Sequence, residues 1–397
     1  MLTQRQLFLE HLAQTSEFPL MVEIEKAKGI YMFDKKGKRY IDLISGIGVS
    51  NLGHLHPAVV KSVKKQLKKY MHLMVYGEFV ETPQVQLAKL ISDLMPEKLN
   101  STFLVNSGSE AVEGALKLAK RFTGRTEIIS AYNAYHGSSH GALSVSGSES
   151  FKSAFRPLLP GIKHIHFNQF DEIEQISTKT AAVIVETVQG EAGVRLPHKD
   201  YLAALREQCN KTGTLLILDE IQAGAGRTGK LWAFEHYQIE PDIVVLAKGL
   251  GGGMPIGAFV SNSQIMKVLR NNPILGHIST FGGHPVSAAA AYASLKTIHK
   301  KKLFEKAEEK GALFKKLLKH PSIKEVRGKG LMLATQFNSF EELKPIIDKL
   351  LSKGILTDWF LFCDDAMRIA PPLVITKKQI KRACQIILEA LDEAHSN

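Results

Sequence analysis

Two apolar runs constrain this chain more than any other feature. Leu215–Leu218 and Ile243–Ala247 each hold an unbroken aliphatic series, the pattern of parallel strands buried on both faces. Each run ends in a group that can do chemistry. Asp219 and Glu220 follow the first, and Lys248 closes the second. Between them lie a stretch expected to be helical and a Pro241-Asp242 turn. In an open α/β sheet, ligands bind beyond the carboxyl ends of the strands, so an acid and a lysine are expected at one edge. Gly249, Gly251, Gly252 and Gly253 then let the backbone pass close to a bound group.

A lysine in a desolvated pocket has a lowered pKa and forms a Schiff base with an aldehyde. Pyridoxal phosphate (PLP) is such an aldehyde. Its pyridine nitrogen stays protonated only where an acid faces it, and Asp219 is the candidate. Opposite charges in contact attract by ~4 kcal/mol at an effective dielectric near 20, which moves a pKa by a few units. Taken alone, these two residues also fit a strand-end cap and a solvated lysine beside a glycine turn.

The longer string separates these readings. D-E-I-Q-A-G-A-G-R-T-G (219–229), followed by P-D-I-V-V-L-A-K-G-L-G-G-G-M-P-I-G-A (241–258), resembles the signature of class III (ω-amino) PLP-dependent aminotransferases. The resemblance covers roughly residues 18–390. It implies an α/β protein of PLP-dependent transferase fold type I. Residues 51–285 would form a large PLP-binding domain with a mostly parallel central sheet. Residues 1–50 and 286–397 would combine in a smaller α+β domain.

The composition agrees with that class. A chain of 397 residues is long enough for two domains, and 44% apolar with 23% charged residues is ordinary for a globular protein. A net charge of +12 raises nucleic-acid binding as a reading. The lysines of 61–70 and 301–320, however, alternate with apolar positions, as on the solvated side of amphipathic helices. A positive field around a site for phosphate and carboxylate ligands is the better reading. No apolar run reaches the ~18–20 residues that span a membrane. The opening residues read as a surface helix without the features of a signal peptide. Cys209, Cys363 and Cys384 show no metal-ligand spacing, so reduced, buried thiols in a cytoplasmic protein are expected, with no metal.

Other segments are read in chain order. Residues 29–43 predict a hairpin around Gly37, and a helix is expected from Ala58 to about Met74 behind Pro57. His54 and His56 lie in a loop without further ligands and are given structural roles. Ser107-Gly108-Ser109 opens a helix after a buried strand, and free N–H groups there suit a phosphate. Further on, 325–337 reads as a hairpin, 340–354 as a helix ended by Gly354, and 355–362 as a strand.

The resemblance adds roles. Gly108 and Ser109 would cup the PLP phosphate. Tyr135, of the trio Tyr135-His136-Gly137, would stack on the ring. Gln222 would reach the phenolic oxygen. Glu186 ends a strand at the pocket. Glu191 would pair with Arg368, from R-I-A-P-P, as a gate. It would neutralise the arginine while an ω-amine is bound and free it to grip the carboxylate of 2-oxoglutarate. Thr280, in T-F-G-G-H-P, would reach the cofactor of a partner subunit, which implies a homodimer. His72, Tyr76 and Phe79 are candidates for the substrate entrance.

Two departures stand out. Many relatives carry Arg-Thr where this chain has Ser138-Ser139, and Asn where it has His284. The expected activity is transfer of an amino group from an ω-amino acid or amine, of the acetylornithine, ornithine or 4-aminobutyrate type, to 2-oxoglutarate. A racemase, aminomutase or decarboxylase on the same fold, or a non-catalytic PLP-binding protein, are the alternatives.

Overall fold

The structure, a computed structural model, describes residues 2–395. The N-terminal helix Gln4–His11 buries nothing and lies on the surface. It precedes β1 (Ile24–Lys28), β2 (Tyr31–Asp34) and β3 (Arg39–Asp42). The expected hairpin is β2–β3, with Gly37 at φ 79° in its turn. The middle of the chain supplies β4 (Ser101–Val105), β5 (Glu127–Ala131), β6 (Ile162–Ile165), β7 (Thr180–Glu186), β8 (Leu215–Asp219), β9 (Ile243–Leu246) and β10 (Gly257–Ser261). These form one sheet in the order β4-β10-β9-β8-β7-β5-β6. β10 runs against its two neighbours, while β9, β8, β7, β5 and β6 pair in parallel.

Every residue of β7, β8 and β9 is buried. Apolar clusters cover both faces of this sheet. Val183, Leu216 and Val244 belong to one cluster, and Ile184, Ile217 and Val245 to the other. That two-sided burial is why the runs are aliphatic without alternation. The helix Pro285–Lys300 shares the first cluster through Ala288, Ala291, Leu295 and Ile298.

The rest of the chain adds β11 (Glu325–Lys329), β12 (Met332–Gln336), β13 (Ile355–Leu356), β14 (Trp359–Phe360) and β15 (Cys363–Ile369). β13 joins β3 in parallel, so the C-terminal part completes a sheet begun by the N-terminal part. β11-β12-β15-β14 form a third sheet, and β11–β12 is the expected hairpin. This architecture is α/β, with a large and mostly parallel central sheet, as fold type I requires.

Three expectations need correction. No α-helix lies between β8 and β9; turns and the short 3₁₀ turn Ala233–His236 fill that stretch. Gly226 and Gly229 adopt φ 89° and 104°, outside helical space. The Glu220 carboxylate also accepts from Ala233 and Phe234 N–H, which folds the loop back on itself. The helix behind Pro57 stops at Leu67, not near Met74. There the buried Gln66 donates its amide to Tyr70 O, which holds the chain in a turn. Residues 355–362 are not one strand. β13 and β14 belong to different sheets, because Asp358 between them is held through backbone and side chain by Arg368 of β15.

Among the described residues, no helix is long and apolar enough to cross a membrane.

Candidate active site

The carboxyl edge of the large sheet assembles a cavity of ≈ 460 Å³. β8 delivers Asp219, β7 delivers Glu186, and Lys248 comes two residues after β9. The segment after β5 brings Tyr135, His136 and Gly137, and the turn after β4 brings Ser107, Gly108 and Ser109. Gln222 lines it too. So the structure brings together eight sequence-predicted residues: Gly108, Ser109, Tyr135, His136, Glu186, Asp219, Gln222 and Lys248.

Asp219 is 4% exposed. Its Oδ2 lies 2.7 Å from His136 Nδ1, and its Oδ1 accepts from Ile221 N at 2.9 Å. His136 is buried, and its Nε2 has no protein partner. The acid is thus oriented from behind by an imidazole and a backbone amide. Burial lowers the Lys248 pKa, against the pull of Glu191 and Asp219. Lys248 also holds φ at 46°, a strained value for a side-chain-bearing residue and the kind that clusters at functional sites. Burial raises Glu186 to about 7, and Asp219 adds to the rise. Both Glu186 oxygens are occupied: Tyr135 N donates at 3.0 Å and Gly190 N at 2.8 Å.

The wall by the Gly108–Thr123 helix is tightly fitted. Ser107 caps the helix by accepting from Glu110 N at 3.1 Å. A Cβ on Gly137, at φ 130°, would meet Ser109 Oγ at 2.1 Å, and one on Gly108 would meet Ile221 at 2.9 Å. Ser109 Oγ also accepts from Ser138 N at 3.2 Å.

Beside this cavity, Glu191 and Arg368 form a two-pronged ion pair, with Nη1–Oε1 at 3.1 Å and Nη2–Oε2 at 3.0 Å. Both residues are 3% exposed. Burial opposes the Glu191 charge, yet Arg368 holds its pKa down at about 2. Gln222 donates to Glu191 Oε1 at 3.1 Å, so the cavity wall and the ion pair are connected. Arg368 also lies over the Phe360 ring at 4.3 Å.

Thr280 stands apart: it is exposed and does not line the cavity of its own chain. His72, Tyr76 and Phe79 do not line it either. His72 stacks on His284 and packs against Phe281, while Tyr76 and Phe79 border a separate cavity. His54 binds Asp42 at 2.8 Å, and His56 caps the Pro57–Leu67 helix, so both serve structure. Cys209 and Cys384 are buried thiols; Cys363 is only partly buried and reaches Asp365. No cluster that could hold a metal occurs among the described residues. Sequence reasoning missed Asn106 and Asp358. Asn106 lines the cavity and donates to Ser279 Oγ at 2.8 Å. Asp358 accepts from Arg368 Nε at 2.8 Å. Neither sits in a recognisable local pattern.

The donor set fits pyridoxal phosphate. It offers a buried amine at Lys248, a held carboxylate at Asp219, a helix N-terminus for a phosphate, and the unpartnered Nε2 of a buried histidine.

Comparison with known proteins agrees. The aminotransferase class-III family model matches residues 12–391. Acetylornithine aminotransferase of Methanopyrus kandleri is 41% identical, over 96% of each chain. Ornithine aminotransferase 1 of Staphylococcus aureus is 40% identical, over 91% of this chain and 92% of its own. The ornithine aminotransferase of Toxoplasma gondii ME49 superposes with a TM-score of 0.92 at 31% identity, over 100% of this chain and 96% of that one. A second structure of that enzyme has PLP at its active site in partial occupancy. With its cavity, its buried lysine and its full-length relatives in agreement, this chain belongs to the class III aminotransferases, which depend on pyridoxal phosphate.

Proposed function

We propose that the enzyme takes the amino group from a terminal amine, of an ω-amino acid or a simple amine, and passes it to 2-oxoglutarate. The observation that carries this reading is the Glu191–Arg368 pair beside the Lys248–Asp219 cavity. Lys248, Asp219, Tyr135, His136, Gln222 and the Gly108–Ser109 helix end would hold the cofactor. When bound, the cofactor supplies an electron sink for the carbon that loses its proton. Asp219, oriented by His136, would serve as the acidic partner of the cofactor's ring nitrogen. Lys248, whose pKa burial lowers, would move a proton at Nζ to and from the donor's amine-bearing carbon. With an amine donor bound, Glu191 keeps Arg368 neutralised. With 2-oxoglutarate bound, Arg368 exchanges Glu191 for the incoming carboxylate, which offers the same two-pronged geometry.

Thr280 belongs to this reading through a second copy. Exposed and away from its own cavity, it would reach the cofactor phosphate of a partner subunit, so the active unit would be a homodimer.

The test is a half-reaction screen on the purified holoenzyme. Single amines are added one at a time, and the cofactor absorbance near ~420 nm, expected of a lysine-bound PLP, is followed. Loss of the band with a terminal amine and its recovery with 2-oxoglutarate support the reading. A Lys248→Ala variant that kept both the band and turnover would falsify it.

A further inference from the structure

A second chamber adjoins the cofactor cavity and shares Tyr135 with it as a wall. Its volume is ≈ 200 Å³, and Ser138, Leu143, Phe151, Phe155 and Phe362 line it. Phe151 and Phe362 meet edge to face at 5.2 Å between ring centres. Phe155 is 58% exposed and Phe151 42%, so their ring faces are not spent on the protein's own core. Among the described residues, no lysine, arginine or carboxylate lines the chamber; His140 is its one imidazole. Lys152, next in sequence to Phe151, is 6% exposed and points its Nζ at His164 Nε2, 3.4 Å away.

The chamber is tied to the gate. Phe362 N donates to Glu191 O at 3.0 Å, and Leu361 N to Glu191 Oε2 at 3.2 Å. At the other end, Tyr135 Oη and Ser138 Oγ lie 3.2 Å apart. One lining residue, Tyr135, therefore belongs to the cofactor cavity, and another, Phe362, is hydrogen-bonded to the residue that pairs with Arg368.

Resting on the transamination reading, we infer that this chamber selects the donor: the far end of the amine lodges among the three phenylalanines and carries no carboxylate. An apolar cavity of ~150 Å³ is enough to take benzene, so the chamber suits one phenyl ring or a short alkyl chain. A carboxylate placed there would lose water and find no lysine or arginine in exchange. The preferred donors are therefore aryl-alkyl or alkyl primary amines, ahead of amino acids that present a carboxylate at the far end.

The experiment uses the holoenzyme with 2-oxoglutarate as acceptor. kcat/KM is measured for 2-phenylethylamine and hexylamine against 4-aminobutyrate and ornithine. The apolar pair is expected to lead by about 10-fold or more, since a pocket contact of this size discriminates by roughly 10–200-fold. Phe362→Ala should cut that lead about 10-fold, with Phe155→Ala as the second variant should the first fail to fold. Ser138→Arg should turn the preference toward 4-aminobutyrate. Calorimetry with benzyl alcohol, which has no amine, should detect binding that weakens in Phe362→Ala. Donors with a carboxylate that perform as well as or better than the apolar amines overturn the inference, as does an unchanged ratio in both phenylalanine variants. Turnover of no amine at all would instead defeat the transamination reading, and the benzyl alcohol titration would still decide the chamber.

Discussion

Asp358 holds Arg368 from the side that Glu191 leaves open: Nε donates to Asp358 Oδ1 at 2.8 Å while the two Nη groups face Glu191. In the proposed exchange, Glu191 would be the partner that leaves and Asp358 the one that stays. Asp358 would then keep the guanidinium charge-compensated and aimed.

Asp358→Asn should loosen that aim while leaving Glu191 in place. Charge-assisted hydrogen bonds are roughly twice as strong as neutral ones, so the KM for 2-oxoglutarate is expected to rise about 3- to 10-fold. The half-reaction with an amine donor should change less than about 2-fold, because Arg368 stays paired with Glu191 there. Stopped-flow measurement of the two half-reactions separates these effects. Equal slowing of both would mean that Asp358 serves only the fold.

Glu191→Gln should act in the opposite sense. It leaves Arg368 with one carboxylate partner in place of two, so 2-oxoglutarate no longer competes with a charged residue. Its KM should fall, and donor kcat/KM should fall with it, each by about 10-fold. The stability loss should stay below the ~3–5 kcal/mol of a fully unpaired buried charge, because Asp358 remains. A higher KM for 2-oxoglutarate in this variant would contradict the exchange.

At the cofactor wall, Gly137→Ala meets two obstacles. The backbone sits at φ 130°, and the new methyl would come within 2.1 Å of Ser109 Oγ. Ser109 must then move, and with it the helix end that suits a phosphate. PLP affinity, titrated into apoenzyme by fluorescence, should weaken by at least about 10-fold, consistent with a cost of about 1–3 kcal/mol for such backbone strain. Unchanged affinity would remove the Gly137–Ser109 fit from the account of the cavity.

These residues differ in how legible they were. Leu215–Asp219 and Ile243–Lys248 could be read directly, because strands buried on both faces leave an unbroken aliphatic trace and end where the chemistry sits. The Ser107–Ser109 cap was visible for the same local reason. Glu191 and Arg368 lie far apart in sequence and leave no periodic signal, so their pairing was suggested only by family resemblance. Asp358 had neither pattern nor resemblance to mark it. It is placed by the break between β13 and β14, a feature that the apolar run 355–362 conceals. The stretch after Asp219 reads as helix in the sequence because its glycine conformations and the Glu220 hydrogen bonds appear only in three dimensions.

Glu220 provides a test of pH dependence away from the proposed chemistry. Burial raises its pKa to about 7, although Thr187 Oγ, Ala233 N and Phe234 N all bond to it and act in the other direction. A carboxyl whose folded pKa lies above its unfolded value of 4.5 binds its proton more tightly in the folded state. Its contribution is thus fully present below the unfolded pKa and is lost as pH rises toward 7. The full swing is on the order of 3 kcal/mol. In Glu220→Gln the side chain no longer titrates, so this part of the slope disappears. The variant is less stable than the parent at pH 5, since one amide cannot accept all three hydrogen bonds. Its deficit should shrink as pH rises to 7.5. Thermal midpoints of the two holoenzymes at both pH values measure this directly. A deficit that grew with pH would show that the hydrogen bonds outweigh burial and keep Glu220 charged in the fold.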